Sequence, residues 1–336
     1  MRGFGSDNHS GVHPDILKAL SDANVGHAPS YGTDELTEKC QELFKTHFGK
    51  SADAFFVFNG TAANVLSLKT MMKSFESCFV TDISHMNQDE CAAPEFFAGK
   101  LIAVKSVNGK LTIPELEKHY IRLGDQHYTQ PRVISLTQPT EVGTLYSLDE
   151  IKTLTTWAKS KNLLVHMDGA RFVNAVYKLS CSMSQMTTDL GIDVLSFGGT
   201  KNGLMFGEAV VVLNPALGKD FKYIRKQAAQ LPSKTRFIAA QFLAFFNNDL
   251  YKKIAQHSCD MAQYFNEKLS GKVKINYPVQ SNAVFAEIPQ PIVKKLKQQY
   301  FFYVWNEKTF ECRLMTSWDT QKEDIDGFTD LLISLK

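Results

Sequence analysis

The chain has 336 residues, enough for about two domains and for a core that needs no disulfide or metal staple. Lys and Arg number 37 against 35 Asp and Glu, a net charge of +2, so no broad basic field exists to attract nucleic acid. At 44% hydrophobic and 21% charged residues, with no apolar run near the length of a membrane span, a soluble globular protein is expected. Cys40, Cys78, Cys91, Cys181, Cys259 and Cys312 show no CxxC spacing, so they read as reduced thiols rather than a zinc or redox pair, and no metal site is expected. The start, MRGFGSDNHSG, lacks the apolar centre of a secretory signal, and the cytoplasm is the expected compartment.

Seven short apolar runs follow one another: FFVF (Phe55 to Phe58), CFVT (Cys78 to Thr81), LIAV (Leu101 to Val104), RVISL (Arg132 to Leu136), LLVHM (Leu163 to Met167), DVLSF (Asp193 to Phe197) and AVVVL (Ala209 to Leu213). They are too short for helices. Between them Asp34 to Phe48, Thr61 to Lys73 and Ser147 to Lys159 carry helical spacing, the last opened by Ser147 with Glu150 three residues on, a capping-box pattern. Such alternation predicts a mainly parallel α/β sheet of seven strands. After about residue 232 the texture changes. A long helical tract to about Leu269 precedes the short strands VKINYP, NAVFAEIP, FFYVW and CRLMTSW and a final helix from Lys322. The expected organisation is an N-terminal segment (1–15) that contributes to the site, a large α/β domain (16–240) and a small α+β domain (241–336).

Ligands of open α/β sheets sit beyond the carboxyl ends of the strands, so the residues after each run are the informative ones. After FFVF, Gly60 and Thr61 open a helix whose free amides and dipole suit a phosphate; a plain turn and cap is the competing account. Neither GxGxxG after a strand nor GxxxxGK[ST] occurs, so the phosphate would belong to a small cofactor. After CFVTD stand His85 and Glu90, an imidazole able to stack on a flat ring and a carboxylate able to orient it, or alternatively capping residues of a loop. After LLVHM, Asp168 is followed three residues later by Arg171; it either serves a ligand or caps the next helix. After DVLSF, Lys201 sits among Gly198, Gly199 and Gly203, which let the backbone close on whatever the lysine holds.

Taken together, a phosphate cradle, a stacking His, a strand-end Asp and a glycine-flanked Lys are the parts that hold pyridoxal 5'-phosphate. Lys201 would form the Schiff base with the aldehyde, and Asp168 would keep the pyridinium nitrogen protonated, making the ring an electron sink.

With SDNHSGVHPDI (Ser6 to Ile16), SYGTD (Ser30 to Asp34), NGTAAN (Asn59 to Asn64), DECAAPEF (Asp89 to Phe96), HMDGARF (His166 to Phe172) and SFGGTKNG (Ser196 to Gly203), the chain resembles the low-specificity threonine aldolases. These belong to the β-eliminating lyase group of fold-type I pyridoxal-phosphate enzymes. The resemblance spans nearly the whole chain. It implies Lys201 as the Schiff-base lysine, Asp168 at the ring nitrogen, His85 stacked on the ring, and Gly60 with Thr61 at the phosphate. It also implies that Ser6, Arg171 and Arg313 grip the substrate carboxylate. Such a guanidinium clamp would set rotation about Cα, and holding the Cα–Cβ bond perpendicular to the ring gives retro-aldol cleavage. The expected reaction converts L-threonine or L-allo-threonine to glycine and an aldehyde; hydroxymethyl transfer, β-elimination, racemisation or a silent binding protein are the alternatives. His85, His127 or a water held with Glu90 are the candidate bases, and Tyr31 is a candidate pocket residue near the cofactor or the substrate hydroxyl. Where many relatives carry ENTHN, this chain has TQPTEVGTLY (Thr137 to Tyr146), so contacts from that loop are open. The resemblance further implies a closed dimer or tetramer in which Arg225, Lys234 or Arg236 of a neighbour completes the phosphate site, Lys234 being the one retained for cofactor binding.

Overall fold

A computed structural model describes residues 3–336, and all seven apolar runs lie on strands of one sheet. The strands are β1 (Asp53–Val57), β2 (Glu76–Thr81), β3 (Lys100–Val104), β4 (Gln130–Thr137), β5 (Leu164–Gly169), β6 (Val194–Phe197) and β7 (Glu208–Val212). Their order across the sheet is β1-β7-β6-β5-β4-β2-β3. Six run in one direction; β7 alone is antiparallel to both neighbours, pairing Val57 with Glu208 and Phe197 with Ala209. That reversal brings the start of β7 to the edge where the other strands end.

Both faces of the sheet are covered, yet the period of two persists. Phe56, Ile134, Leu136, Val165, Met167, Leu195, Phe197 and Val211 enter one apolar core, while Val57, Val80, Val133, Val194 and Val210 enter the other. The second face is covered by helix Gly60–Met71, whose residues Ala62 to Leu68 are all buried. This second face also carries a hydrogen-bonded polar cluster. Ser135 Oγ and Ser196 Oγ lie 2.8 and 2.9 Å from the two ring nitrogens of His166, and Ser67 Oγ is 3.3 Å from Ser196 Oγ.

The helices expected before β1 and before β5 span Glu35–Phe48, capped by Asp34, and Leu148–Ser160, where Ser147 and Glu150 do form a capping box. The long tract beyond residue 232 is two helices, Arg236–Phe246 and Leu250–Leu269. Between them Asn248 and Asp249 adopt φ of 50° and 55°, a left-handed geometry that Asn and Asp tolerate. The domain boundary expected at residue 240 falls inside helix Arg236–Phe246, and the large core continues through Phe242, Phe245 and Phe246 to Ala255.

The small unit is an antiparallel sheet, β8 (Lys274–Ile275), β9 (Ala283–Glu287), β10 (Tyr303–Asn306) and β11 (Glu311–Met315), in the order β10-β11-β9-β8, with the terminal helix Lys322–Ser334. Phe4 is wholly buried in its core, against Phe265, Tyr300 and Phe328. Among the described residues no helix is long and apolar enough to cross a membrane.

Candidate active site

At the carboxyl edge of the parallel strands lies a cavity of about 650 Å³, within the range that encloses a small cofactor and its substrate. Its walls include Ser6, Gly60, Thr61, His85, Glu90, Asp168, Arg171, Lys201 and Arg313, residues scattered over three hundred positions of sequence. Each arrives by the same logic. Gly60 and Thr61 follow β1 at a helix start where Ala63 N bonds to Asn59 O and Ala62 N is capped by Asn59 Oδ1, so the Gly60 and Thr61 amides remain available to an anion. His85 follows β2, Asp168 is the next-to-last residue of β5, and Lys201 follows β6.

The glycines around Lys201 work differently from the expectation. A Cβ at Gly198 would stand 2.2 Å from the Ala170 carbonyl oxygen, and one at Gly199 would stand 2.4 Å from the Gly207 carbonyl oxygen. Gly203 has φ of 92°. The glycines let backbone pack on backbone, pressing the lysine loop against the Asp168–Arg171 turn, rather than clearing room for a ligand.

Four polar side chains of the site are not among the residues singled out from the sequence. Asn64, one turn into helix Gly60–Met71, donates through Nδ2 to both Asp168 Oδ2 and Glu90 Oε1, each at 2.9 Å. An amide on a largely apolar buried helix was the available clue. Glu208 is the first residue of the reversed strand β7; its carboxylate accepts from the Gly199 amide, and burial pushes its carboxyl up to about 7. Asp7, beside Ser6, pairs with Arg171. Glu141 belongs to the loop that departs from the threonine aldolase pattern. It accepts from the His85 amide at 3.1 Å and the Thr137 hydroxyl at 2.8 Å, and burial pushes it up to about 7.

His85 Nδ1 lies 2.8 Å from Glu90 Oε1, so the ring's Nε2 is left for exchange with a ligand. The bond to Glu90 raises the imidazole's pKa, against the effect of burial. Burial raises Glu90 as well, partly offset by the bonds from His85 and Asn64. Lys201 is driven the other way: burial, and then the Arg171 charge, lower its pKa and favour the free amine that nucleophilic attack requires. Arg313 donates to the Gly5 carbonyl at 3.0 Å and lies over the Trp305 and Tyr303 rings; burial, then Arg171, lower it to about 10.

Three expected participants stand outside this cavity. His127 is exposed on its loop, its amide donating to Asp125. Tyr31 is half exposed at 51%, its amide bonded to the Ser233 carbonyl and its ring under Lys226. Lys234 lies on a neighbouring apolar groove. Of the other basic candidates, Arg225 donates to the Phe56 carbonyl and Arg236 lies over the Phe237 ring. Nothing within one chain carries these five residues to the cavity walls.

The donor set fits pyridoxal phosphate: an amine of lowered pKa, a carboxylate held by an amide and a backbone N–H, and unbonded helix-start amides line one cavity. Sheet order, reversed β7 and strand-end acid together define the fold-type I pyridoxal-phosphate architecture. Residues 3–290 match the family described as beta-eliminating lyase. The chain is 40% identical over 330 residues to the low specificity L-threonine aldolase of Pseudomonas aeruginosa, covering 96% of this chain and 94% of that protein. It is 27% identical over 302 residues to the low specificity L-threonine aldolase of Saccharomyces cerevisiae, covering 86% and 76%. A solved threonine aldolase of Leishmania major superposes with a TM-score of 0.94 at 26% identity, covering 100% of this chain and 99% of that one. The chain belongs to the beta-eliminating lyase family.

Proposed function

We propose that the protein is a pyridoxal-phosphate lyase that cleaves L-threonine, L-allo-threonine and related β-hydroxy-α-amino acids to glycine and an aldehyde. The observation that carries the reading is the convergence of Lys201, Asp168 and the His85–Glu90 pair on one cavity also walled by two arginines. Lys201 would anchor the cofactor through its amine, Asp168 would face the ring nitrogen, and the Gly60 and Thr61 amides would hold the phosphate. The bound cofactor supplies an electron sink for the pair left at Cα. Ser6, Arg171 and Arg313 bind and orient the substrate carboxylate, which fixes the bond exposed to cleavage. His85, its Nδ1 held by Glu90, accepts the β-hydroxyl proton at Nε2 and so drives the C–C bond apart. Glu90, Asn64 and Glu141 keep that imidazole in place.

A second copy of the chain completes the enzyme in this reading, as a dimer or tetramer. Support comes from the groove beside the cavity, lined by Leu17, Met205, Phe237 and Lys234 and sharing Phe58 and Phe206 with it. Leu17, Met205 and Phe58 are 52%, 44% and 39% exposed in the single chain, an apolar patch suited to burial between copies. In this reading Lys234, on that groove, would reach a neighbour's phosphate. Unpaired cysteines suit a reducing, cytoplasmic setting.

The test is direct. Protein supplied with pyridoxal phosphate should show a yellow band that Lys201→Ala abolishes, and should release acetaldehyde from threonine. A colourless protein, or ammonia released from serine without acetaldehyde from threonine, would overturn the assignment.

A further inference from the structure

Arg171 does not face the cavity as a free side chain. Its Nε donates to Asp7 Oδ2 at 2.5 Å and its Nη2 to Asp7 Oδ1 at 2.8 Å, a bidentate clamp with the aspartate almost fully buried. Asn282 Nδ2 adds a third bond to Asp7 Oδ2 at 3.2 Å, and the same amide donates to the Thr316 carbonyl at 2.8 Å. Burial alone would raise the Asp7 carboxyl, but Arg171, with Lys201 and Asn282, outweighs it and lowers its pKa. Nη1 of Arg171 makes no hydrogen bond among the described residues.

We infer that Asp7 is a positioning residue for Arg171: by occupying the Nε–Nη2 edge it leaves the Nη1 end as the part a ligand carboxylate meets. The inference rests on the reading of Arg171 as a carboxylate ligand. An unclamped arginine has rotamer freedom to lose on meeting a ligand; a guanidinium already gripped along one edge has lost it beforehand. The grip belongs to a segment that is itself anchored at both ends of the cleft. Phe4 is buried in the small core, its amide donates to the Phe301 carbonyl at 2.7 Å, and its carbonyl accepts from Met315 N at 2.8 Å. The next residue, Gly5, accepts from Arg313. One stretch, residues 4–7, thus sets both arginines, and ties the large unit, through Arg171, to the small one through Asn282 and Arg313.

The experiment uses the full chain loaded with pyridoxal phosphate and follows the cofactor band while titrating two amines, glycine and methylamine. Both can replace Lys201 at the cofactor, and only glycine carries a carboxylate. Asp7→Asn should weaken glycine by about tenfold or more while methylamine changes less than threefold and cofactor affinity holds. Equal weakening of both amines, or no change in either, overturns the proposal, since a merely structural role has no reason to single out the carboxylate. Arg171→Gln is the companion variant. If it shows no selectivity for glycine, the reading of Arg171 fails; if it is selective and Asp7→Asn is not, only the role of Asp7 fails. Should Asp7→Asn not fold, Asp7→Glu keeps the charge and pushes the guanidinium out of place, and the same selective loss is expected.

Discussion

Replacing Asn64 by leucine tests how the site holds two acids side by side. One amide nitrogen stands 2.9 Å from an oxygen of Asp168 and 2.9 Å from one of Glu90, both side chains almost without exposure. Two acceptors sharing one donor lie on the order of 5 Å apart, where like charges repel by about 3 kcal/mol at an effective dielectric of 20. The amide dipole offsets that repulsion through two bonds to charged groups, each worth about 1.5–3 kcal/mol. Leucine has the same branching and heavy-atom count with no donor, so both bonds vanish without a cavity. Part of the loss is recovered when Glu90, already raised by burial, takes up a proton. A net destabilisation of about 3 kcal/mol follows, which at about 2–3 °C per kcal/mol lowers the melting midpoint by roughly 6–9 °C. A protonated Glu90 no longer favours the imidazolium, so the His85 pKa should fall and the acid limb of the rate profile should move to lower pH. Thermal melts of the loaded protein and the pH dependence of aldehyde release are the assays. A midpoint within about a degree of the parent together with an unmoved acid limb would refute the argument.

His166 is buried between two serines and held down to about 4, so as pH falls the unfolded chain binds this proton first and the folded state loses stability from about pH 6.5 to about pH 4, by up to about 3 kcal/mol. Glu141 and Glu208, raised to about 7, act in the opposite sense as pH rises through that range, so the quantity to measure is the stability difference between the parent and His166→Gln. That difference should shrink toward acid; a difference independent of pH would contradict the assignment. Gly198→Ala puts a methyl 2.2 Å from the Ala170 carbonyl oxygen and must move backbone on one side, costing about 3 kcal/mol or more and weakening cofactor binding. A variant that melts like the parent would show that the lysine loop does not rest on the Asp168–Arg171 turn.

Strands, helices and the proposed reactive pair, Asp168 and Lys201, were legible because their signals are local. Apolar runs of four or five residues, the Ser147–Glu150 cap, and an acid or a lysine placed just after a run each declare themselves within a few positions. The kink at Asn248 and Asp249 was also written locally, in an Asn-Asn-Asp triplet inside an apolar tract, but periodicity averages over such a break.

What folding alone decided concerns direction and reach. Alternation cannot reveal that β7 runs backwards, and only that reversal brings its first residue, Glu208, to the lysine loop. Asp7 meets Arg171 across 164 positions and Asn64 meets Asp168 across 104, contacts that depend on how whole layers stack. For the same reason His127, Tyr31 and Lys234 carry suitable chemistry and yet lie outside the cavity of their own chain, since a side chain's type is local and its destination is set by the packing of everything between.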